Sequence, residues 1–329
     1  MNILVTGGAG YIGSHMVRML VARGHTVTIL DTMEYGSPQA VPKEAQLVKG
    51  NVGDEEALRR IFAERAIAGV IHFAGYISVE ESVRDPILYM RNNLIAPITL
   101  LEAMKKANVR ALIFSSTAAV YGNPTILPIP EDHPKNPVSP YGLSKWCFEE
   151  LLNVYDRSFG IKSASLRYFN ASGASLDGAY GEVHNPETHL IPIACAAALD
   201  KISQMRLYGT DYKTEDGTAV RDYIHIEDLC EAHLLVLEAL MKSHPSGAYN
   251  VGTGKGHSVK SVLDEVKRVS GVNFPVVESA RRSGDAAVLV ADSTKLMGEF
   301  GWKPKHSDLR SIVASAWKWH KSHPKGYAS

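Results

Sequence analysis

The sequence predicts a doubly wound parallel α/β sheet joined to a smaller mixed α/β C-terminal unit. Three observations carry this. Short, nearly all-apolar runs rich in β-branched residues alternate with amphipathic stretches of helix length; a glycine-rich turn directly follows the first run; and the alternation fades beyond about residue 170. Strands that are apolar on both faces must be covered on both, which a parallel sheet with helical crossovers achieves. Ile3 to Thr6, Thr26 to Asp31, Ala45 to Lys49, Gly69 to Phe73, Arg110 to Ser115 and Lys162 to Arg167 read as these strands. A Gly-, Asp- and His-containing loop follows over Ala171 to Asn185, then a helix near Leu190 to Ala198. Arg221 to Met241 and Ala248 to Gly252 read as a further helix and strand able to return to the first sheet. The expected division is therefore 1–170, completed by parts of 221–252, and a second domain over most of 171–329. Six prolines between Asn123 and Pro140 exclude helix and central strand there and predict a rigid surface loop.

Composition excludes several classes. The 329 residues are 45% hydrophobic and 21% charged, as in soluble globular chains. Lys+Arg and Asp+Glu are equal at 35 each, so no basic footprint exists for nucleic acid or an anionic membrane. Cys147, Cys195 and Cys230 lack metal-ligand or disulfide spacing and are expected in apolar packing. No metal site is read from the sequence. Met1 to Val5 carries no basic leader region, and the apolar run Ile191 to Leu199 is too short to span a bilayer, so a cytoplasmic protein is expected.

The turn Gly7-Gly8-Ala9-Gly10-Tyr11-Ile12-Gly13 lies between the first strand and a helix. Gly7 permits the tight turn, Gly10 lets a pyrophosphate approach the backbone, and Gly13 allows close helix–strand packing, while the helix start offers N–H donors to phosphate. Asp31, 18 residues after Gly13 at the end of the second strand, is placed to accept from a ribose diol and to repel a 2′-phosphate. The predicted cofactor is NAD on a Rossmann-type sheet. Phe73-Ala74-Gly75 closes the fourth strand with small residues beside the cofactor.

Ser139-Pro140-Tyr141-Gly142-Leu143-Ser144-Lys145 reads as a helix start, with Ser139 as N-cap and Pro140 at the first position. Tyr141 and Lys145 then share a face at i and i+4. A phenol acting as a base near neutrality needs its pKa lowered by about 3 units, or about 4 kcal/mol. One cation at about 6 Å in an effective dielectric near 20 supplies roughly 2.8 kcal/mol of this, and the helix N-terminus with an oxidised nicotinamide supplies the rest. Thr117, ending the fifth strand, comes to the same side. Tyr141, Lys145 and Thr117 are the candidate catalytic set.

These motifs, with Val70-Ile71-His72-Phe73-Ala74-Gly75, Arg167-Tyr168-Phe169-Asn170, Thr214-Glu215-Asp216-Gly217, Val220-Arg221-Asp222-Tyr223-Ile224-His225 and Arg281-Arg282-Ser283-Gly284-Asp285, resemble the extended short-chain dehydrogenase/reductases from Met1 to about Tyr327. Within that family the likeness is to the members that epimerise UDP-hexoses at C4. The resemblance implies that Gly7, Gly10, Tyr11, Ile12, Gly13, Asp31, Asn51, Val52, Phe73, Ala74, Gly75, Asn93, Lys145 and Phe169 contact NAD. It implies that Thr117, Tyr141, Asn170, His189, Leu190, Tyr208, Arg221, Arg282 and Asp285 hold a UDP-sugar, the two arginines suiting a diphosphate. Related dehydratases carry an acid within two places of the threonine; here Ala118 and Ala119 stand there. The chain departs from the family at Asn51, usually Asp, at Ile77, a lysine in some members, and at His189, an Asn in some. Leu289 stands where bulk decides between plain and N-acetylated hexoses.

The activity so implied is interconversion of UDP-glucose and UDP-galactose, by oxidation at C4, rotation of the 4-keto sugar and hydride return to its other face. The alternatives are C4 epimerisation of a UDP-N-acetylhexosamine, UDP-glucuronate or UDP-pentose, and a catalytically silent NAD-binding regulator. A homodimer is expected from helices around Pro97 to Lys106 and Cys147 to Tyr155, whose Leu100, Leu101, Phe148, Leu151 and Leu152 spread over more than one face.

Overall fold

The computed structural model describes residues 1–282 and 285–327, which form two compact units. In chain order the strands are β1 (Asn2–Thr6), β2 (Thr26–Asp31), β3 (Gln46–Lys49), β4 (Ile67–His72), β5 (Ala111–Thr117), β6 (Lys162–Tyr168), β7 (Asn170–Ser172), β8 (Met205–Tyr208), β9 (Val220–His225), β10 (Gly247–Val251), β11 (Gly256–Ser258), β12 (Val276–Ser279) and β13 (Val288–Leu289). The helices are α1 (Tyr11–Ala22), α2 (Glu55–Glu64), α3 (Val79–Arg84), α4 (Pro86–Met90), α5 (Ala96–Lys106), α6 (Pro140–Phe159), α7 (Leu190–Ala198), α8 (Ile226–Leu240), α9 (Val259–Ser270), α10 (Thr294–Phe300) and α11 (Leu309–Ser322). Among the described residues no helix is long and apolar enough to cross a membrane.

The first unit, residues 1–123, 132–167 and 230–250, is built on a seven-stranded parallel sheet of order β10-β6-β5-β4-β1-β2-β3. The order reverses between β1 and β4, where a doubly wound sheet opens a crevice at its carboxyl edge. Ile3, Leu4 and Val5 of β1 are fully buried, as their unbroken apolar run requires. One face packs on α2, α5 and α6 through Leu58, Ile61, Leu100, Leu101, Met104, Phe148 and Leu152. Four of the residues expected to mark a subunit contact, Leu100, Leu101, Phe148 and Leu152, are thus consumed by the chain's own core, and Leu151 packs against it. Cys195 and Cys230 are buried, but Cys147 on α6 is half-buried.

Helix α6 follows its sequence signals closely. The Ser139 hydroxyl accepts from the Gly142 N–H at 3.1 Å, Pro140 needs no donor partner, and Gly160 ends the helix in the left-handed conformation at φ 67°. Below its first turns lies a buried ionic knot. The Arg167 guanidinium donates to Glu149 through Nε at 3.0 Å and Nη2 at 2.5 Å, and through Nη1 to the Tyr121 hydroxyl at 2.9 Å. Ser116 also donates to Glu149, and Tyr121 donates to Asn250 at 2.7 Å.

In the second unit, residues 124–131, 168–229 and 251 onward, β9 is central. It pairs with β11, β13 and β7, while β8 pairs with β12 in a separate two-stranded sheet. The stretch Arg221 to His225, expected as the start of a helix, is strand, and the helix begins only at Ile226. The reason is tertiary: the Asp222 carboxylate, fully buried, accepts from the N–H groups of Thr253, Gly254 and Ala291 and from the Thr253 hydroxyl, which pins the segment extended. The proline-rich stretch is not entirely surface either. Ile129 is fully buried, donating to Val290 O at 2.8 Å and accepting from Asp292 N at 2.9 Å.

Removing Glu149 strands the buried Arg167 charge. Glu149→Ala is expected to lower unfolding free energy by about 3–5 kcal/mol, whereas Glu149→Leu with Arg167→Met recovers most of it; urea titration by circular dichroism measures both.

Candidate active site

The glycine turn has the predicted geometry. Gly7 sits at φ 70°, and a Cβ there would also lie 2.6 Å from the Ala74 nitrogen, so strand β1 and the end of β4 close on each other only around glycine. A Cβ on Gly13 would stand 2.1 Å from the Gly7 carbonyl oxygen. Gly10 differs: its added Cβ would meet only the Gly7 oxygen, at 3.5 Å, leaving the backbone open on that side. Gly10 is the N-cap of α1, no side chain caps the helix, and no acid occupies its first turn. The N-terminus carrying Tyr11, Ile12 and Gly13 therefore suits an anion.

Asp31 lies at the carboxyl end of β2, nearly buried, and accepts from Ala9 N at 2.9 Å and Met33 N at 2.8 Å. A carboxylate has about four acceptor positions, so capacity remains for a ribose diol. Asn51 accepts from Gly53 N at 2.8 Å and keeps its side-chain N–H groups for other partners. Val52 is packed into the core. Ala74 N donates to Thr6, Phe73 packs on the His233 ring at 5.0 Å, and Gly75 is so close to Asn93 and Lys145 that a Cβ would meet their ends at 3.2 and 3.4 Å. Asn93, in a π-helical turn between α4 and α5, accepts from Tyr76 N at 2.8 Å and donates to Tyr76 O at 3.0 Å. Such turns recur at functional sites. These residues fit an NAD molecule, and the fit is to its phosphates, its ribose and a small passage beside β4. Phe169 belongs to the second unit.

Thr117 ends β5 and Tyr141 opens α6, and the Thr117 hydroxyl acts to lower the pKa of the Tyr141 phenol. Lys145 is 2% exposed, its Nζ donating to Ser115 O at 2.9 Å and lying 4.9 Å from the Phe114 ring centre and 6.0 Å from that of Tyr141. The cation thus stands at the separation the helix spacing predicts. The pKa balance is different from the sequence expectation. Burial pushes the Tyr141 phenol above its ordinary value, against the Thr117 hydroxyl, and burial pulls Lys145 down to about 8. In the chain by itself desolvation outweighs the lowering effect of the Thr117 hydroxyl, so the phenolate needs further positive charge. The sequence reading missed Glu149, whose charge supports protonated Lys145. Its signal was available: Tyr141, Lys145 and Glu149 fall at i, i+4 and i+8 on one helix face.

The second unit gathers four of the predicted sugar-nucleotide residues. Arg221 on β9 is nearly buried; among the described residues its guanidinium makes one hydrogen bond, Nη1 to Val220 O at 2.9 Å, and stands 3.9 Å from Asp285. Burial lowers its pKa, with Asp285 opposing. An under-supplied buried guanidinium is a site for an anion. Arg282 donates through Nε to Asp285 at 3.0 Å and lies over the Tyr208 ring at 5.3 Å. Leu289 is paired in register with Arg221. Ser283 and Gly284 of the same motif lie outside the described residues. Asn170 instead donates to Asp222 O at 3.0 Å. His189 and Leu190 start α7, where Leu190 packs on the core and the His189 Nδ1 faces Glu182 at 2.6 Å. Burial disfavours the charge on His189, yet Glu182 and Glu187 raise its pKa to about 10.

Residues 3–252 match the NAD dependent epimerase/dehydratase family. The chain belongs to that family. It is 48% identical over 327 residues to a UDP-glucose 4-epimerase of Lactobacillus helveticus, covering 99% of each chain. Its structure is similar, at TM-score 0.93 and 38% identity, to the UDP-glucose 4-epimerase of Bifidobacterium longum in complex with NAD+ and UDP, covering 99% of this chain and 100% of that one. It is also similar, at TM-score 0.85 and 38% identity, to the UDP-Glc/GlcNAc 4-epimerase of Campylobacter jejuni, covering 98% and 99%. The family is NAD dependent, and the geometry of this chain's glycine turn and Asp31 fits that cofactor.

Substituting Gly13 by alanine forces a methyl into the Gly7 carbonyl. The variant is expected to bind NAD at least about tenfold more weakly, a loss of about 1.4 kcal/mol, read by calorimetric titration of NAD into cofactor-stripped protein.

Proposed function

We propose that the chain interconverts UDP-glucose and UDP-galactose by transient oxidation at C4. The observation that carries the reading is the buried Lys145, held by the Ser115 carbonyl with its Nζ 6.0 Å from the centre of the Tyr141 ring on the same helix, in a member of this family. Bound NAD supplies a hydride acceptor for C4 and the donor that returns it. Tyr141, as phenolate, takes the proton of the 4-hydroxyl, and gives it back when the ketone is reduced. Thr117 donates to the reacting oxygen and orients the phenol. Lys145, kept charged by Glu149, stabilises the phenolate through space. Because burial raises the phenol, the reactive fraction falls tenfold for each pH unit below its pKa, and the positive charge of the loaded site is what brings it into range.

Arg221, Arg282 and Tyr208 hold the uridine diphosphate. Asp285 faces both arginines, at 3.0 Å from Arg282 and 3.9 Å from Arg221, in the place a diphosphate would take, and Asn170, His189 and Leu190 line the same end. Anchoring by the nucleotide leaves the sugar free to turn and present its second face. No acidic group follows Thr117, as Ala118 and Ala119 occupy those places, so elimination of water from the ketone lacks its acid–base residue. Leu289, in register with Arg221, is the position through which the range of hexoses would be set.

A homodimer is part of the same reading, but through other side chains than Leu100, Leu101, Phe148 and Leu152. Leu143 and Val154 of α6, 40% and 44% exposed, share an outward face with half-buried Cys147 and exposed Glu150; Ile95 and Ile98 at the start of α5 are also exposed. Exposed apolar side chains grouped on helix faces mark helix–helix contacts. Val154→Asp is expected to convert a dimer to a monomer by light scattering after gel filtration, with the far-ultraviolet spectrum unchanged. A wild-type chain that runs as a monomer at micromolar concentration would remove the dimer.

The activity is tested with purified protein, UDP-galactose and no added NAD, following UDP-glucose by proton NMR. Conversion is expected, and Tyr141→Phe should lower turnover by about 10²–10⁴-fold while NAD content and Tm stay near wild type. Absence of conversion with and without NAD would sink the glucose/galactose assignment.

A further inference from the structure

The loop before α7 carries Glu182-x-His184-x-x-Glu187-x-His189. The fold turns these four side chains onto one point: one ligand atom from each lies within 4.8 Å of every other. His184 Nδ1 is 3.0 Å from Glu182 Oε1 and 3.7 Å from Glu187 Oε2; His189 Nδ1 is 2.6 Å from the same Glu182 oxygen and 3.4 Å from Glu187 Oε1. An ion with four N and O ligands at about 2.0–2.2 Å keeps its ligand atoms roughly 3.3–3.5 Å apart, a spacing the four distances bracket.

A second observation separates this cluster from a pair of ordinary ion pairs. The Glu182 side chain is 3% exposed, and its Oε1 has no hydrogen-bond partner although two ring nitrogens stand within 3.0 Å. The approaches have hydrogen-bond length without hydrogen-bond direction. A buried carboxylate oxygen left in that condition costs free energy unless a cation takes its lone pair. Two neutral imidazoles and two carboxylates around a divalent ion also leave no net charge in the interior. The surrounding structure holds the ligands in place: Glu182 O accepts from Trp319 Nε1 at 3.1 Å, and Glu187 Oε1 accepts from the N–H groups of Thr188 and His189 at 2.8 Å. Such outer contacts are what orient ligands in metal sites.

We propose that Glu182, His184, Glu187 and His189 bind one divalent transition-metal ion, with Zn²⁺ the best match to a closed four-coordinate set of imidazole and carboxylate. All four positions are filled by protein, so the ion is structural and has no place for a substrate water. It ties the loop to the N-cap of α7. Of the four ligands only His189 is shared with the sugar-nucleotide end proposed above, and binding of the ion does not depend on which hexose is turned over.

The test is elemental analysis of the purified, extensively dialysed full chain, followed by chelation and titration of the apo chain with Zn²⁺ and Co²⁺. About one zinc per chain is expected, or its uptake by the apo chain with a rise in Tm. The Co²⁺ form should show the visible absorption of a four-coordinate N/O site. His184→Ala with Glu187→Ala should weaken Zn²⁺ binding on the order of a hundredfold or more. Should the double variant fail to fold, the Co²⁺ spectrum of the wild-type chain decides. A wild-type chain that holds no metal as isolated and takes up neither ion would overturn the site, as would zinc binding left intact in the folded double variant.

Discussion

A charged lysine buried against the sheet is the constraint on which the catalytic end of the first unit depends. Lys145 has little access to water, and its ammonium is retained by the Ser115 carbonyl, the faces of Phe114 and Tyr141, and the charge of Glu149. Glu149 is in turn held by Arg167 and Ser116. Each group makes the next one tolerable in a low-dielectric interior, so the set must be present together or not at all. The same burial that makes the cation effective at 6.0 Å also raises the phenol it serves. By itself the phenol therefore stays protonated, and added positive charge nearby would favour its ionised form.

In the second unit the matching constraint is Arg221, a nearly buried guanidinium with few acceptors. Asp222, its neighbour in sequence, points the other way and is saturated by four donors that fix β9 as a strand. Alternation along the strand thus divides one motif into a residue that builds the fold and one that faces a ligand. Arg282 lies over the Tyr208 ring and donates to Asp285, which also faces Arg221, so the arrangement fits the anion- and ring-binding surface proposed here.

Much of this was legible before any coordinates. The expected strands before residue 170 lie within a few residues of β1 to β6, and the expected helix Leu190–Ala198 coincides with α7, because unbroken apolar runs and punctuating glycines act locally. Tyr141 and Lys145 were legible for the same reason: a capped helix places i and i+4 together whatever surrounds it. Glu149 obeyed that rule as well and was passed over, since a lone glutamate gives no sign that an arginine 18 residues later will bury it. The four ligating side chains of the loop before α7 were likewise invisible, because nothing in their spacing matches a regular helix or strand and only the path of the loop brings them together.

Local chain chemistry determined the order of strands and helices, the turn at Gly7 to Gly13, the acid at Asp31 and the tyrosine–lysine pair, because each follows from steric and hydrogen-bonding rules acting over a few residues. Tertiary structure decided what those rules do not reach. It made Arg221 to His225 a strand by burying Asp222 among backbone donors, and it sank Leu100, Leu101, Phe148 and Leu152 into the core. It also set the protonation balance of Tyr141 and Lys145. Burial and long-range pairing depend on which distant segments arrive, and they carry free energies larger than local propensity, so they overrule it wherever the two disagree.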